Sequence, residues 1–171
     1  MKHQSFIYLL LVGSAALAFA SDKDISAILE LHQVERRGHL TGNAELIAGT
    51  LADQLTVVEN GEVQVNSRED VGRSFSDYLK SVRYSAWEDV SPPSVHISTD
   101  RKTAWVVIRI QATYTDKDST PAVQHQFVSS WIAIYQKGKG GWRMAAIASG
   151  CNPPCGLPRE QNAHGLEAVE H

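Results

Sequence analysis

A chain of 171 residues with 16 basic and 19 acidic side chains has the size of one ordinary domain with a sizeable core of its own. No stretch concentrates lysine and arginine, which excludes an electrostatic nucleic-acid binder, and the acidic balance argues against anionic lipid surfaces. The only two cysteines lie near the end of the chain, so the core has to stand without a disulfide framework.

The first 20 residues read as a signal peptide. Met1-Lys2-His3-Gln4 is a basic lead-in, Phe6 to Ala18 is apolar apart from Gly13 and Ser14, and Ala18 and Ala20 supply the small residues before a cut at Ser21. The apolar run is shorter than the roughly 20 residues of a spanning helix, which disfavours a membrane anchor. No cysteine adjoins the cut, which closes the lipoprotein route. The expected location is periplasmic or secreted, with no stable membrane span after cleavage. Removal of residues 1–20 takes Lys2 and no acid, so the mature chain stays mildly acidic.

Asp22 or Asp24 can cap a first helix reaching about His39, with Ile25, Ile28, Leu29, His32 and then Glu35 or Arg36 on one face. Gly42-Asn43 breaks it, and Asn43 can cap a short second helix from Ala44 to Leu51. Leu55 to Val58 and Val63 to Val65 flank Glu59-Asn60-Gly61-Glu62, where Asn-Gly supplies the positive φ angles of a tight hairpin turn. Ser67-Arg68-Glu69-Asp70 predicts a capping box, the acid reaching back to the serine backbone. It opens a third helix with Val71, Phe75, Tyr78, Leu79 and Val82 inward.

The rest of the domain is β-rich. Tyr84 to Trp87 and Val95 to Ile97 are separated by Ser91-Pro92-Pro93, which suits a bending edge strand and excludes a central one. Three long segments follow, within 103–114, 123–135 and 141–149, the last two joined by the glycine-rich turn after Gln136. In the first of these, Ala104, Val106, Ile108, Ile110 and Ala112 form one apolar face, and Trp105, Val107, Arg109, Gln111 and Thr113 form the other. This order predicts an α+β fold in which a curved antiparallel sheet wraps around three N-terminal helices. After Ser149 the alternation stops, and residues 151–171 read as a mostly disordered tail. Cys151 and Cys155 close a local disulfide in an oxidising compartment. A metal site completed by His164 or His171 is the weaker reading, since no second cysteine pair exists.

The element order, with L-A-D-Q-L-T-V-V-E-N-G, W-E-D-V-S-P-P-S-V-H-I-S-T-D and K-G-G-W-R-M, resembles the nuclear transport factor 2-like superfamily over about residues 24–149. Within it the chain is most similar to secreted SnoaL-like proteins of undetermined function. The resemblance implies a cone-shaped barrel over residues 21–150, a pocket between sheet and helices, and often a homodimer through the outer sheet face. Isomerase-like members place a general base near the end of the first strand. Counted from Ala52-Asp53, that place falls on Glu59, which otherwise reads as the first residue of a hairpin turn.

The chain departs from the isomerase pattern at three places. Its first helix has no tyrosine, the next-to-last strand has no carboxylate, and the closing strand places Ala146 and Ala148 where related domains carry histidines. Donors aimed at a developing oxyanion are then missing.

What the residues themselves offer is a polar cluster, if His32, Glu35, Glu59 and His125 all point into the cone beside Trp131. Each histidine alone reads more simply as a satisfied core or strand-edge residue. Trp87, Trp105, Trp131 and Tyr135 read as core and interface aromatics, with Trp105 and Val107 on the outer face. No metal-ligand spacing, nucleotide fingerprint or nucleophile motif is present, so no cofactor is expected. The predicted function is an exported domain that binds a small apolar or amphipathic molecule, without a complete catalytic set. The alternatives are an isomerase, dehydratase or cyclase using Glu59 or His32 as base, and a dimeric protein-interaction module.

Overall fold

The computed structural model describes residues 7–59 and 61–152, with side chains from residue 22 to 59 and 61 to 150. The predicted tail, Cys155 and Asn60 lie outside the described residues, and Cys151 is described in its backbone alone, so the expected disulfide does too.

Among the described residues, three helices precede and interrupt a seven-stranded sheet. Helix α1 runs unbroken over Ile7–Thr41, where the sequence predicted a cap at Asp22 or Asp24. No proline interrupts this stretch, and its alanines, leucines and glutamates are strong helix formers. Asp24 is instead buried against the sheet. Among the described residues no helix is long and apolar enough to cross a membrane.

Helix α2 is a single turn, Ala44–Ala48, with the Asn43 side chain accepting from the backbone N–H of Glu45 and Leu46, as predicted. It is shorter than the sequence suggested, because Gly49-Thr50 turns the chain into strand β1 at Leu51. Ile47 reaches over Gly38 of α1: a Cβ at Gly38 would lie 2.5 Å from Ile47 Cγ1 and 3.0 Å from the Asn43 carbonyl oxygen. Glycine therefore sets how closely these helices approach.

Strands β1 (Leu51–Glu59) and β2 (Glu62–Ser67) form the predicted hairpin, with Glu59 opposite Glu62 and Gly61 at φ 83°. Helix α3 spans Arg68–Ser81. Its cap, Ser67, accepts from the Asp70 N–H at 3.1 Å, and the Asp70 carboxylate takes the Ser67 hydroxyl rather than the backbone N–H of the predicted box. Val82, expected as the last inward helical residue, begins β3 (Val82–Asp89).

Strands β3 and β4 (Ser94–Ile97) both pair with β5 (Thr103–Asp116), so the Pro92-Pro93 bend does lie on an edge. β6 (Gln124–Gly138) and β7 (Gly141–Asn152) complete the order β2-β1-β7-β6-β5-β3. Two expectations are corrected here. The sheet is mixed, because β1 runs parallel to β7. It is also curved without closing, since β2 and the β3/β4 edge do not pair with each other, so the predicted barrel is an open cone. β7 extends through Asn152, past the Ser149 end read from the sequence.

The inner face is the core. Ala104, Val106, Ile108, Ile110 and Ala112 are all at most 1% exposed, as their alternation predicted, and pack with Tyr135, Trp142 and Met144. A buried ion cluster pins α1 to the sheet: Asp24 accepts from Lys137 Nζ at 2.5 Å, Trp142 Nε1 at 3.0 Å and the Arg101 guanidinium. Burial pushes the Asp24 carboxyl up, but hydrogen bonds from Lys137, Arg101 and Trp142 outweigh it and hold the group at about 2.

The outer face carries two apolar rows across the sheet. Val65, Thr56, Ala146, Ile134 and Trp105 stand side by side through successive strand pairs, as do Val63, Val58, Ala148, Ile132 and Val107. Trp105 is 44% exposed and Ile132 48%, so these rows are open to solvent in the single chain.

Candidate functional site

The concave side of the sheet and the three helices enclose a cavity of about 480 Å³, within the range of small-molecule sites. The strand pleat determines what faces it. On β1 the alternation presents Leu51, Leu55, Val57 and Glu59, and on β2 it presents Gln64 and Asn66. β3 contributes Tyr84 and Trp87, and β6 contributes Phe127, Ser129 and Trp131. Helix α3 adds Phe75 and Tyr78, while α1 adds Glu35 and His39, one helical turn apart.

On β7 the closing strand corrects the sequence reading. Tyr135 pairs with Met144 but Ile134 pairs with Ala146, so Ala145 is an extra residue and the strand bulges. The bulge puts Met144, Ile147 and Ser149 on the cavity side. Ala146 and Ala148, which the sequence reading set at the histidine positions of similar domains, lie on the outer rows.

The polar cluster drawn from the sequence is divided. Glu35, Glu59 and Trp131 line the cavity; His32 and His125 do not. His32 is 1% exposed and donates from Nε2 to Asp89 Oδ1 at 2.7 Å, tying α1 to the end of β3. Arg36 reinforces the same junction by donating from Nε to the Trp87 carbonyl at 2.6 Å. His125 lies near the rim, stacked on Tyr114 and 2.8 Å from Asp116 Oδ2. Glu59, at the end of β1, accepts a long 3.4 Å hydrogen bond from Ser149 Oγ, so it is a cavity residue as well as the start of a turn.

Glu35 holds the chemically distinct position. Burial pushes its carboxyl up to about 7, with a partial offset from nearby His32, and Oε2 is buried without a hydrogen-bond partner. His39 is driven the other way: burial lowers it to about 3, so it is neutral, and it stacks on Trp87 with ring centroids 3.9 Å apart. Tyr135 is raised by burial and then by the Glu35 charge, which places that carboxyl beside β6. Tyr84 is raised by burial and shares a 2.8 Å hydrogen bond with Tyr78.

Among the described residues, the buried side-chain polar atoms without a partner are His32 Nδ1, Glu35 Oε2, His39 Nδ1, Trp87 Nε1 and Trp131 Nε1. All five belong to one cluster where α1 meets β3 and β6, linked by the His39–Trp87, Trp87–Trp131 and His32–Trp131 ring contacts. Unpartnered buried groups are costly and concentrate at functional sites. Sequence reasoning missed His39, Trp87 and Asp89 as parts of this site. The signal for His39 was present in its spacing from His32 and Glu35, which repeats one face of the helix. Among the described residues, no three His, Cys, Asp or Glu side chains are grouped to hold a metal ion.

No protein-family model matches the sequence, and no curated protein matches it. Solved structures do match. A ketosteroid isomerase-like protein from Erwinia carotovora superposes with a TM-score of 0.60 at 15% identity, covering 75% of this chain and 95% of that one. An NTF2-like protein of unknown function in nutrient uptake from Rhodospirillum rubrum gives 0.57 at 18% identity, covering 71% and 95%. A putative calcium/calmodulin-dependent protein kinase II association domain from Xanthomonas campestris gives 0.54 at 19% identity, covering 71% and 83%. At these identities the likeness is one of fold: the chain has the nuclear transport factor 2-like fold.

Proposed function

We propose that this chain is an exported small-molecule-binding domain whose ligand lies between the sheet and the helices. The observation that carries the reading is the aromatic-walled cavity of about 480 Å³ with Glu35, whose Oε2 is buried without a partner, in its lining. An apolar ligand body would replace water along the rings, and a polar end would partner the unsatisfied groups around Glu35. The signal-like segment of residues 1–20 supports export.

The outer rows of Trp105, Val107, Ile132 and Ile134 support a homodimer through the sheet face, as does the likeness to kinase association domains. Native mass spectrometry of protein purified from its host tests these readings together. A dimer carrying a small-molecule adduct on each chain, released on unfolding, is expected. A bare mass from the host, with no binder found by ligand screening, would contradict the binding reading; a monomer would contradict the dimer.

A second reading, an isomerase-, dehydratase- or cyclase-type enzyme, is favoured by the poise of Glu35 near neutrality. In it Glu35 takes the role the sequence suggested for Glu59 or His32, since His32 is turned to Asp89 and does not line the cavity. Exchange of carbon-bound protons of small cyclic ketones in heavy water, followed by NMR, tests it. Exchange that is lost in Glu35→Gln supports the enzyme, and exchange no faster than with bovine serum albumin rejects it.

A further inference from the structure

We propose that the ligand of this cavity is an organic cation, an amine or quaternary ammonium group on an apolar body, with its charge seated against Glu35 and the adjacent indoles. The inference rests on the reading of the cavity as a ligand site and names the chemistry it selects.

The first support is the sign of the lining. Four carboxyl groups, those of Glu35, Glu59, Asp70 and Asp116, face the cavity, and among the described residues no lysine or arginine does. Two of the four are already matched, Asp70 by Arg73 and Asp116 by His125. Glu35 has an unpartnered Oε2, and Glu59 has the long Ser149 contact. Arg36, the arginine next to Glu35 in sequence, donates to the Trp87 carbonyl and does not line the cavity. His39, the histidine in the lining, is neutral. A carboxylate ligand would meet only like charge here, and a cation would meet two available carboxylates.

The second support is the placement of the rings. Trp131 packs edge-on to His32, and Trp87 stacks on His39, the residues three before and four after Glu35 on the same helical face. The two indoles are 6.5 Å apart between centroids, and their ring partners on α1 stand on either side of Glu35 in the sequence. Both tryptophans are 6% exposed and line the cavity. Indole faces attract a cation, and the attraction is largest where water is excluded. A carboxyl and two indoles lining one aromatic-walled cavity are the groups that recognise an alkylammonium.

The binding is linked to a proton. Glu35 gives up its proton to solvent when a cation arrives, so uptake of the ligand near neutrality releases one proton fraction per site. Around Glu35, His32 and His39 share its helix, Tyr135 faces it from β6, and Tyr84 packs on His39 from β3. Glu59 on β1, Asp70 and Tyr78 on α3, and Tyr114 and Asp116 on β5 stand on the remaining walls.

Isothermal titration calorimetry of the purified chain with naphthylethylamine, naphthylethanol and naphthylacetate tests the inference, since the three share a body and differ in charge. At about pH 8 the amine is expected to bind about tenfold or more tightly than the alcohol, with the carboxylate weakest. Glu35→Gln is expected to bring amine and alcohol within about twofold of each other. Equal binding of all three by the native chain would overturn the cation assignment and leave the cavity reading standing. Binding of none would remove both. Should Glu35→Gln not fold, titration of the native chain at about pH 6.5 in two buffers of different ionisation enthalpy replaces it. Proton release with the amine and none with the alcohol is expected; no release with either overturns the assignment.

Discussion

Moving a carboxyl from water into an aromatic cavity penalises its charged form, and Glu35 keeps its proton to about pH 7 for that reason. Its folded value lies above the ordinary 4.5, so the stability it lends is complete below pH 4.5 and is lost as pH rises through 7. Glu35→Gln is therefore expected to raise stability at about pH 8 by roughly 2–3 kcal/mol and to change it little near pH 4, read from urea unfolding at both values. Asp24 behaves oppositely. Its folded value of about 2 lies below the ordinary 3.8, so its contribution is complete above 3.8 and is lost as pH falls toward 2. Asp24→Asn is expected to lower stability at neutral pH by about 2–4 kcal/mol, because it removes the charge that Lys137 and Trp142 donate to, and to flatten the acid limb of the unfolding curve. At this scale the sequence was partly legible. Glu35 was visible as an inward helical position, but its isolation was not, because the partner that removes His32 from the cavity is Asp89, 57 residues away. Asp24 read as a helix cap because a cap and a buried anchor look alike until the strands that supply Lys137 and Trp142 are in place.

At the scale of elements, alternation predicted β5 and β6 correctly because long strands with one buried face repeat their signal many times. The β7 strand defeated the same reasoning. In Met144-Ala145-Ala146-Ile147-Ala148-Ser149 the alanines fit either face, so nothing in the pattern marks the bulge, and one extra residue reverses every side chain after it. The junction of α1 and α2 depends on a missing side chain. Gly38→Ala places a methyl against Ile47 and the Asn43 carbonyl oxygen, and it is expected to destabilise by about 1–3 kcal/mol in chemical denaturation despite the better helix propensity of alanine. A neutral or stabilising result would show that α2 moves aside.

For the whole molecule, the order of elements gave the α+β class, since helices followed by long alternating strands have few ways to bury one face, and the resemblance of its motifs gave the fold. Closure and strand direction were not legible, because they depend on which edges meet, and no local pattern records that. The parallel β1–β7 pair joins the first strand of the sheet to the last, and it brings Val58 and Ala148 into the row that continues to Ile132 and Val107. Charge placed in that row should break a sheet-face dimer without touching the cavity. Ile132→Lys is expected to shift light scattering from dimer to monomer while leaving ligand binding within about twofold. A dimer that survives the change would place the interface elsewhere.

The selection of this cavity for a cation turns on one carboxyl in its lining, Glu35, whose charge burial poises near neutrality. The most direct measurement is the Glu35 side-chain carboxyl resonance, followed by carbon-13 NMR across pH in the native chain. A midpoint near 7, moving downward when a cationic ligand fills the cavity, is the predicted result. A midpoint at the ordinary 4.5 would mean that water reaches the carboxyl freely and would contradict it.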